Sequence, residues 1–173
     1  MTLERVIRTR PRTGLAIGEV LTQALASELL SPSPELWLVS GWVSDIVVID
    51  NTSGLYDGLF RDEAPGTLTL TNVLSRLVAD GTKLHVALRT DKHNETFIGR
   101  LRGACGDNQI HIYSSPDLHE KTLCAWSWVM SGSMNFTWNG TERNEENITY
   151  RHDPAWAARQ RLELQQRWIG HDV

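Results

Sequence analysis

The sequence predicts an α/β domain, and three observations lead there. Short apolar runs of strand length alternate with stretches in which apolar residues recur at helical spacing. Turn-forming Gly, Pro, Asn and Asp fall between them. The length, 173 residues, suits one domain with a single core that removes roughly 70 % of the unfolded surface from water. Helices layered on a sheet are the expected outcome.

Residues 1–15 read as an Arg-rich arm, with Arg5, Arg8, Arg10 and Arg12 around Pro11 and one acid, Glu4. Such an arm is either solvated or in contact with phosphate. Across 16–30, Ile17, Val20, Leu21, Ala24, Leu25 and Leu29 mark a helix that Ser31-Pro32-Ser33-Pro34 ends. Residues 36–39 suit a buried strand, and 40–45, small and polar around Trp42, a loop at a strand end. A second short strand is expected at 46–49 and a surface loop over 51–66. Thr71-Asn72 is positioned to cap a helix through Val73, Leu74, Leu77 and Val78, which Asp80-Gly81 stops.

A strand follows at 84–88, then a short helix or irregular segment around 97–105. Gly106-Asp107-Asn108 signals a turn before a strand at 110–113. The segment holding His119 and Lys121 reads on into another strand, so both side chains are expected on one face of the sheet. From 154 to 169, Trp156, Leu162, Leu164 and Trp168 stand among Arg and Gln in an imperfect helical period. The resulting division is an arm at 1–15, a domain at 16–150 and a helical tail at 151–173.

Seventeen Lys+Arg against twenty-one Asp+Glu leave a formal charge of −4. That balance argues against a broadly basic surface but leaves room for a local cationic pocket. Two cysteines, Cys105 and Cys124, are too few for a disulfide framework, and no Cys/His group has zinc spacing. Burial accounts for Cys124 without reactivity. Five Asn-x-Ser/Thr sequons, at Asn51, Asn94, Asn135, Asn139 and Asn147, would matter only in a secreted protein, and the first residues carry no signal-peptide pattern. No apolar run approaches the ~20 residues of a membrane helix. The expectation is a cytoplasmic chain with reduced thiols, no glycans and no membrane partner.

The chemistry concentrates in 119–147, HEKTLCAWSWVMSGSMNFTWNGTERNEEN. His119 and Lys121 precede Gly132, Ser133 and Asn135. Gly permits close backbone approach, and Ser and Asn supply neutral donors. Phosphodiester cleavage needs a nucleophile, a proton for the leaving oxygen and donors on the non-bridging oxygens. Histidine, with a reference pKa of ~6.5, serves as nucleophile or acid near neutral pH. Lys and Asn can grip the oxygens without a metal.

His119-x-Lys121 followed by Gly132-Ser133-x-Asn135 resembles the HxK…GSxN signature of the phospholipase D superfamily. The continuation Asn135-Phe136-Thr137 and the later Asn144-Glu145-Glu146-Asn147 are similar to its small bacterial nucleases. The close likeness spans about thirty residues, and segment 40–51 is similar to phospholipase-D-like proteins of DNA-processing and phage-defence clusters. The resemblance implies a mixed β-sheet flanked by helices, with one HxK motif per chain. It implies His119 as nucleophile or acid, Lys121 and Asn135 on the phosphate oxygens, and Ser133 in the same pocket. Glu146 would orient His119, with Glu145 the alternative. Gly132, and Trp42 at the rim, would contact substrate, and no cofactor is implied.

The family's usual Asp five residues after the Lys is Trp126 here, and the spacing to the Gly is one residue shorter than usual. Tyrosyl-DNA phosphodiesterases also lack that Asp, so no phosphate-contacting group is lost. One HxK is half a site, and the family completes it in a symmetric dimer. The resemblance therefore implies a homodimeric, metal-independent nuclease acting on nucleic acid, with DNA the favoured substrate. Alternatives are a binding or assembly subunit without turnover and a phospholipid phosphodiesterase. A metal-dependent PD…ExK site is not formed, because Glu120 and Lys121 are adjacent and no paired acids suit Mg²⁺. Trp126 and Trp128 read as packing residues, and His85 and His111 as core histidines. His93, His152 and His171 have no ligand spacing.

Overall fold

The structure is a computed structural model that describes residues 2–8, 17–60, 66–106 and 109–170. Among the described residues, seven strands form one mixed sheet in the order β1-β9-β8-β7-β2-β5-β6. Its parallel part is β2 (Glu35–Ser40), β5 (Lys83–Arg89) and β6 (Ile110–Ser115). The antiparallel part adds β7 (Thr122–Cys124), β8 (Trp128–Gly132), β9 (Asn147–His152) and β1 (Leu3–Arg8). A separate two-stranded ribbon pairs β3 (Val47–Asp50) with β4 (Thr67–Thr69).

Strand alternation sorts the side chains into two cores. Leu36, Leu38, Leu84, Val86, Leu88, Leu123 and Met130 point to one face, under helices α1 (Ile17–Leu30), α2 (Leu70–Ala79) and α3 (Glu95–Cys105). Trp37, Val39, Ala87, Cys124 and Val129 point to the other, under α4 (Pro154–Trp168). On that second face Trp37, His85 and Tyr113 stack. The expected tail is therefore an integral layer: Asp153 caps α4 by accepting from Trp156 N, and Pro154 takes the first turn.

Several expectations change. Leu3–Arg8 is not a detached arm but an edge strand antiparallel to β9, from Leu3 opposite His152 to Arg8 opposite Asn147. The free backbone groups of β9 supply what the composition concealed, and Ile7 packs on the core. Arg10, Pro11 and Arg12 lie outside the described residues, as do the Asp107-Asn108 turn, His171 and part of the 51–66 loop. The α2 cap is Thr69, two residues before the expected one. Its hydroxyl accepts from Asn72 N while the Asn72 side chain accepts from Thr69 N, a reciprocal capping box. Residues 95–105 form a full helix. β9, where no strand was expected, closes the gap between β8 and β1.

Trp128 is buried and donates from its indole to Glu28 at 2.7 Å, but Trp126 is 49 % exposed in the β7–β8 turn. There the Arg161 guanidinium lies 4.1 Å from its ring centroid while donating to Ala125 O and Trp126 O. His111 is exposed because β6 is an edge strand, whereas His85 is buried. The sequons at Asn51 and Asn94 are buried and hydrogen-bonded. Burial pushes the Cys124 thiol up to about 12. No helix is long and apolar enough to cross a membrane among the described residues.

Candidate functional site

The chemistry-bearing segments converge at one end of the sheet. Pairing of Val39 with Thr122, and of Thr122 with Ser131, sets the C-terminal end of β2, the start of β7 and the end of β8 side by side. Gly132 N donates to Lys121 O at 3.2 Å, joining the HxK segment to the GSxN segment through the backbone. Gly132 pairs in turn with Ile148 of β9. In open α/β sheets this edge, beyond the carboxyl ends of the parallel strands, is where ligands bind.

His119 and Lys121 lie in the extended segment before β7, not within the strand, so the strand's alternation does not place them on a face. Pairing with β2 ends at Thr122. His119 is exposed, and its imidazole has no hydrogen-bond partner among the described residues. Lys121 is half-buried and donates from Nζ to His119 O at 2.5 Å, which folds the ammonium back beside the imidazole-bearing residue.

Asn135 is oriented through its amide oxygen. Its Oδ1 accepts from Trp42 N at 3.2 Å and Ser40 Oγ at 3.4 Å. Because a backbone N–H can only donate, these contacts fix which end of the amide is which. Oδ1 is consumed against β2, which leaves Nδ2 as the donating end. A Cβ at Gly41 would meet Asn135 Oδ1 and Leu118 O, each at 3.4 Å, so Gly41 keeps the three segments close.

Ser133 Oγ donates to Glu146 Oε2 and accepts from Asn147 N at 2.9 Å. Glu146 is buried, and its Oε1 accepts from Asn144 Nδ2 at 3.2 Å. Glu146 thus ties Ser133 to Asn144, and His119 forms no hydrogen bond with it. Gly132 also lies tight against β9. A Cβ there would sit 2.1 Å from Asn147 O, so the close approach its hydrogen permits is to the chain's own β9.

Trp42 is half-buried beside Asn135. Its indole N–H donates to Asp91 Oδ2 at 3.2 Å, and the Arg89 guanidinium lies 5.2 Å from its ring centroid. Hydrogen bonds from His93 N and the Trp42 indole hold the Asp91 carboxyl below the usual carboxylate range. His93 Nε2 lies 3.0 Å from Ser44 Oγ.

Asn94, which the sequence reading passed over except as a sequon, braces this loop. Its Nδ2 donates to Gly41 O and Arg89 O, both at 2.9 Å, and its Oδ1 accepts from Val43 N at 2.9 Å. Ser40 was equally missed, since no local pattern marks it. Trp126, at the position of the family's Asp, stands five residues beyond Lys121 at the opposite end of β7, roughly 16 Å of extended chain away. Among the described residues no cluster of three or more His, Cys, Asp or Glu side chains is disposed to hold a metal ion.

Comparison with known proteins matches residues 68–168 to the family described as "Cardiolipin synthase, PLD-like domain". No curated protein sequence matches the chain. Among solved structures, Nuc of Salmonella typhimurium, a phospholipase D family member, is similar at TM-score 0.64 and 14 % identity, over 96 % of this chain and 94 % of that one. NucT of Helicobacter pylori is similar at TM-score 0.64 and 12 % identity, over 96 % and 95 %. TrmBL2, an archaeal chromatin protein whose structure is described as showing a novel mode of DNA binding, is similar at TM-score 0.57 and 12 % identity, over 95 % and 51 %. With the family match covering more than half of the sequence and the mixed sheet shared with Nuc, the chain belongs to the phospholipase D-like family.

Proposed function

We propose that the chain is a metal-independent phosphodiesterase that cleaves nucleic acid, DNA in particular, at a site shared across a homodimer. The observation that carries this reading is the meeting of the HxK and GSxN segments at the Gly132–Lys121 hydrogen bond, with the Asn135 amide oriented through its oxygen and its Nδ2 without a hydrogen-bond partner among the described residues. Lys121 and Asn135 Nδ2 bind the non-bridging oxygens and stabilise the charge that develops there. An imidazole nitrogen of His119 attacks phosphorus in line, and the bond to the leaving oxygen breaks. That oxygen takes its proton from the second copy's His119. Water then attacks the phosphohistidine, gives its proton to that second imidazole, and the P–N bond breaks to free His119. Ser133 and Glu146 hold the GSxN segment against β9, and Glu146 orients His119 in the assembled site.

The test is cleavage of a labelled oligonucleotide in EDTA together with the solution mass. Persistent cleavage, its abolition by His119→Ala and a mass of two chains are expected. Activity that survives His119→Ala, or a strict monomer that cleaves, overturns the mechanism. A second reading, a nucleic-acid-binding subunit without turnover, is favoured by the likeness to TrmBL2. Trapping a covalent phosphohistidine excludes it. Hydrolysis of phospholipid vesicles but not of oligonucleotides would move the substrate to lipid. Cooperation with other subunits in DNA processing or phage defence belongs to the same proposal, and co-purification of such subunits would test it.

A further inference from the structure

Two aromatic–guanidinium pairs adjoin Asn135, one by a hydrogen bond and one along the chain, and neither is required by the catalytic scheme. In the first, Arg89 lies over Trp42 at 5.2 Å, with the indole N–H held by Asp91. In the second, Arg143 lies over Trp138 at 5.1 Å, and Trp138 is 55 % exposed. A parallel bridge joins Val43 to Phe136, and Ser44 N donates to Phe136 O. Trp42 is thus one residue before one half of that bridge, and Trp138 two residues after the other. Asn135 stands between them in the chain and bonds Trp42 directly.

We infer that these two pairs are stacking stations for unpaired nucleobases on either side of the scissile phosphate, so that the substrate is single-stranded nucleic acid. The inference rests on the nucleic-acid reading above and narrows it. The exposed Trp138 leaves a large apolar surface in water, as the half-buried Trp42 does in part, and a lone surface cation–π pair returns only a little of that cost. Two such pairs, one hydrogen-bonded to a phosphate-gripping Asn and one starting three residues beyond it, form a platform with both elements a single strand needs: an aromatic face for each base and a guanidinium for the adjoining backbone. Trp42 is pinned at its backbone N–H and its indole N–H, so its ring is pre-organised. In a duplex the base faces are already stacked on one another and closed to such contacts. The formal charge of −4 also offers no broad cationic track for a double helix.

The experiment uses the His119→Ala protein so that substrate survives. It titrates three fluorescein-labelled probes: a single-stranded oligodeoxynucleotide, an abasic strand of equal length and charge, and the matched duplex. The base-bearing strand should bind about 5- to 150-fold more tightly than the abasic strand for each station engaged. Trp42→Ala and Trp138→Ala should each remove one such factor, and the Trp→Phe variants should retain part of it. The abasic comparison on the unsubstituted Trp residues stands even if an Ala variant fails to fold. Equal affinity for base-bearing and abasic strands, or duplex binding as tight as single-strand binding, overturns the stations while leaving the nuclease reading intact. Failure to bind any of the three probes overturns both.

Discussion

Asn94 is the residue whose removal should expose how the site is held together. Its side chain, 1 % exposed, makes three hydrogen bonds, to Val43 N, Gly41 O and Arg89 O, the first two fully buried. Asn94→Ala leaves all three backbone groups without their partner. At about 1 kcal/mol net for each hydrogen bond, the loss should be about 3 kcal/mol. In a domain of this length that lowers Tm by roughly 6–12 °C. Asn94→Asp should be worse than its small change in shape suggests, because the new oxygen faces the Gly41 and Arg89 carbonyls. Urea denaturation with linear extrapolation measures the loss. The functional effect follows from the same geometry: a loosened Ser40–Val43 loop releases Trp42 N–H from Asn135, so phosphate affinity falls in the folded variant. An Asn94→Ala protein with less than 1 kcal/mol of destabilisation would refute the bracing argument.

Gly132→Ala drives a Cβ to 2.1 Å from Asn147 O and 2.8 Å from Ile148 Cα, both backbone atoms. Opening β8 from β9 to relieve this should cost about 3 kcal/mol, and an unchanged denaturation midpoint would contradict the close approach. His85 is pushed down from 6.5 to about 4, first by burial, against the opposing pull of Glu35 and with His111 and Lys83 adding. The unfolded chain therefore binds this proton more readily. Stability is full above pH 6.5 and declines as pH falls toward 4, by on the order of 3 kcal/mol. His85→Phe should flatten that window. Asp45 and Asp153, held below 3.8, lose their contribution only at lower pH, so a profile unchanged by His85→Phe would refute the assignment. Trp126→Ala should cost only about 0.5–1 kcal/mol, the worth of its exposed contact with Arg161. It should leave oligonucleotide hydrolysis unchanged, and a lost turnover would show that the family's Asp position matters at a distance.

Much of the architecture was legible because the period of apolar residues is set locally. Ile17 to Leu29 repeats at helical spacing, and residues 36–39 and 84–88 have the length and character of buried strands. The HxK and GSxN residue types pointed to the family for the same reason, since each is readable in a short window. The residues that hold those motifs in place were not legible. Asn94 acts on Gly41, Val43 and Arg89, and Ser40 on Asn135, across gaps of up to 95 positions. Gly132 reads as a place for ligand approach, and its close contact with β9 is invisible in the sequence. Leu3–Arg8 looked like a charged arm because its strand partner lies near the other end of the chain. Trp126 and Trp128 looked alike, yet one caps a turn and the other fills a core. Local spacing determines secondary structure and the identity of reactive groups. Orientation, burial and partnership arise only when distant segments meet, and here they decide which end of the Asn135 amide is held against Ser40 and Trp42.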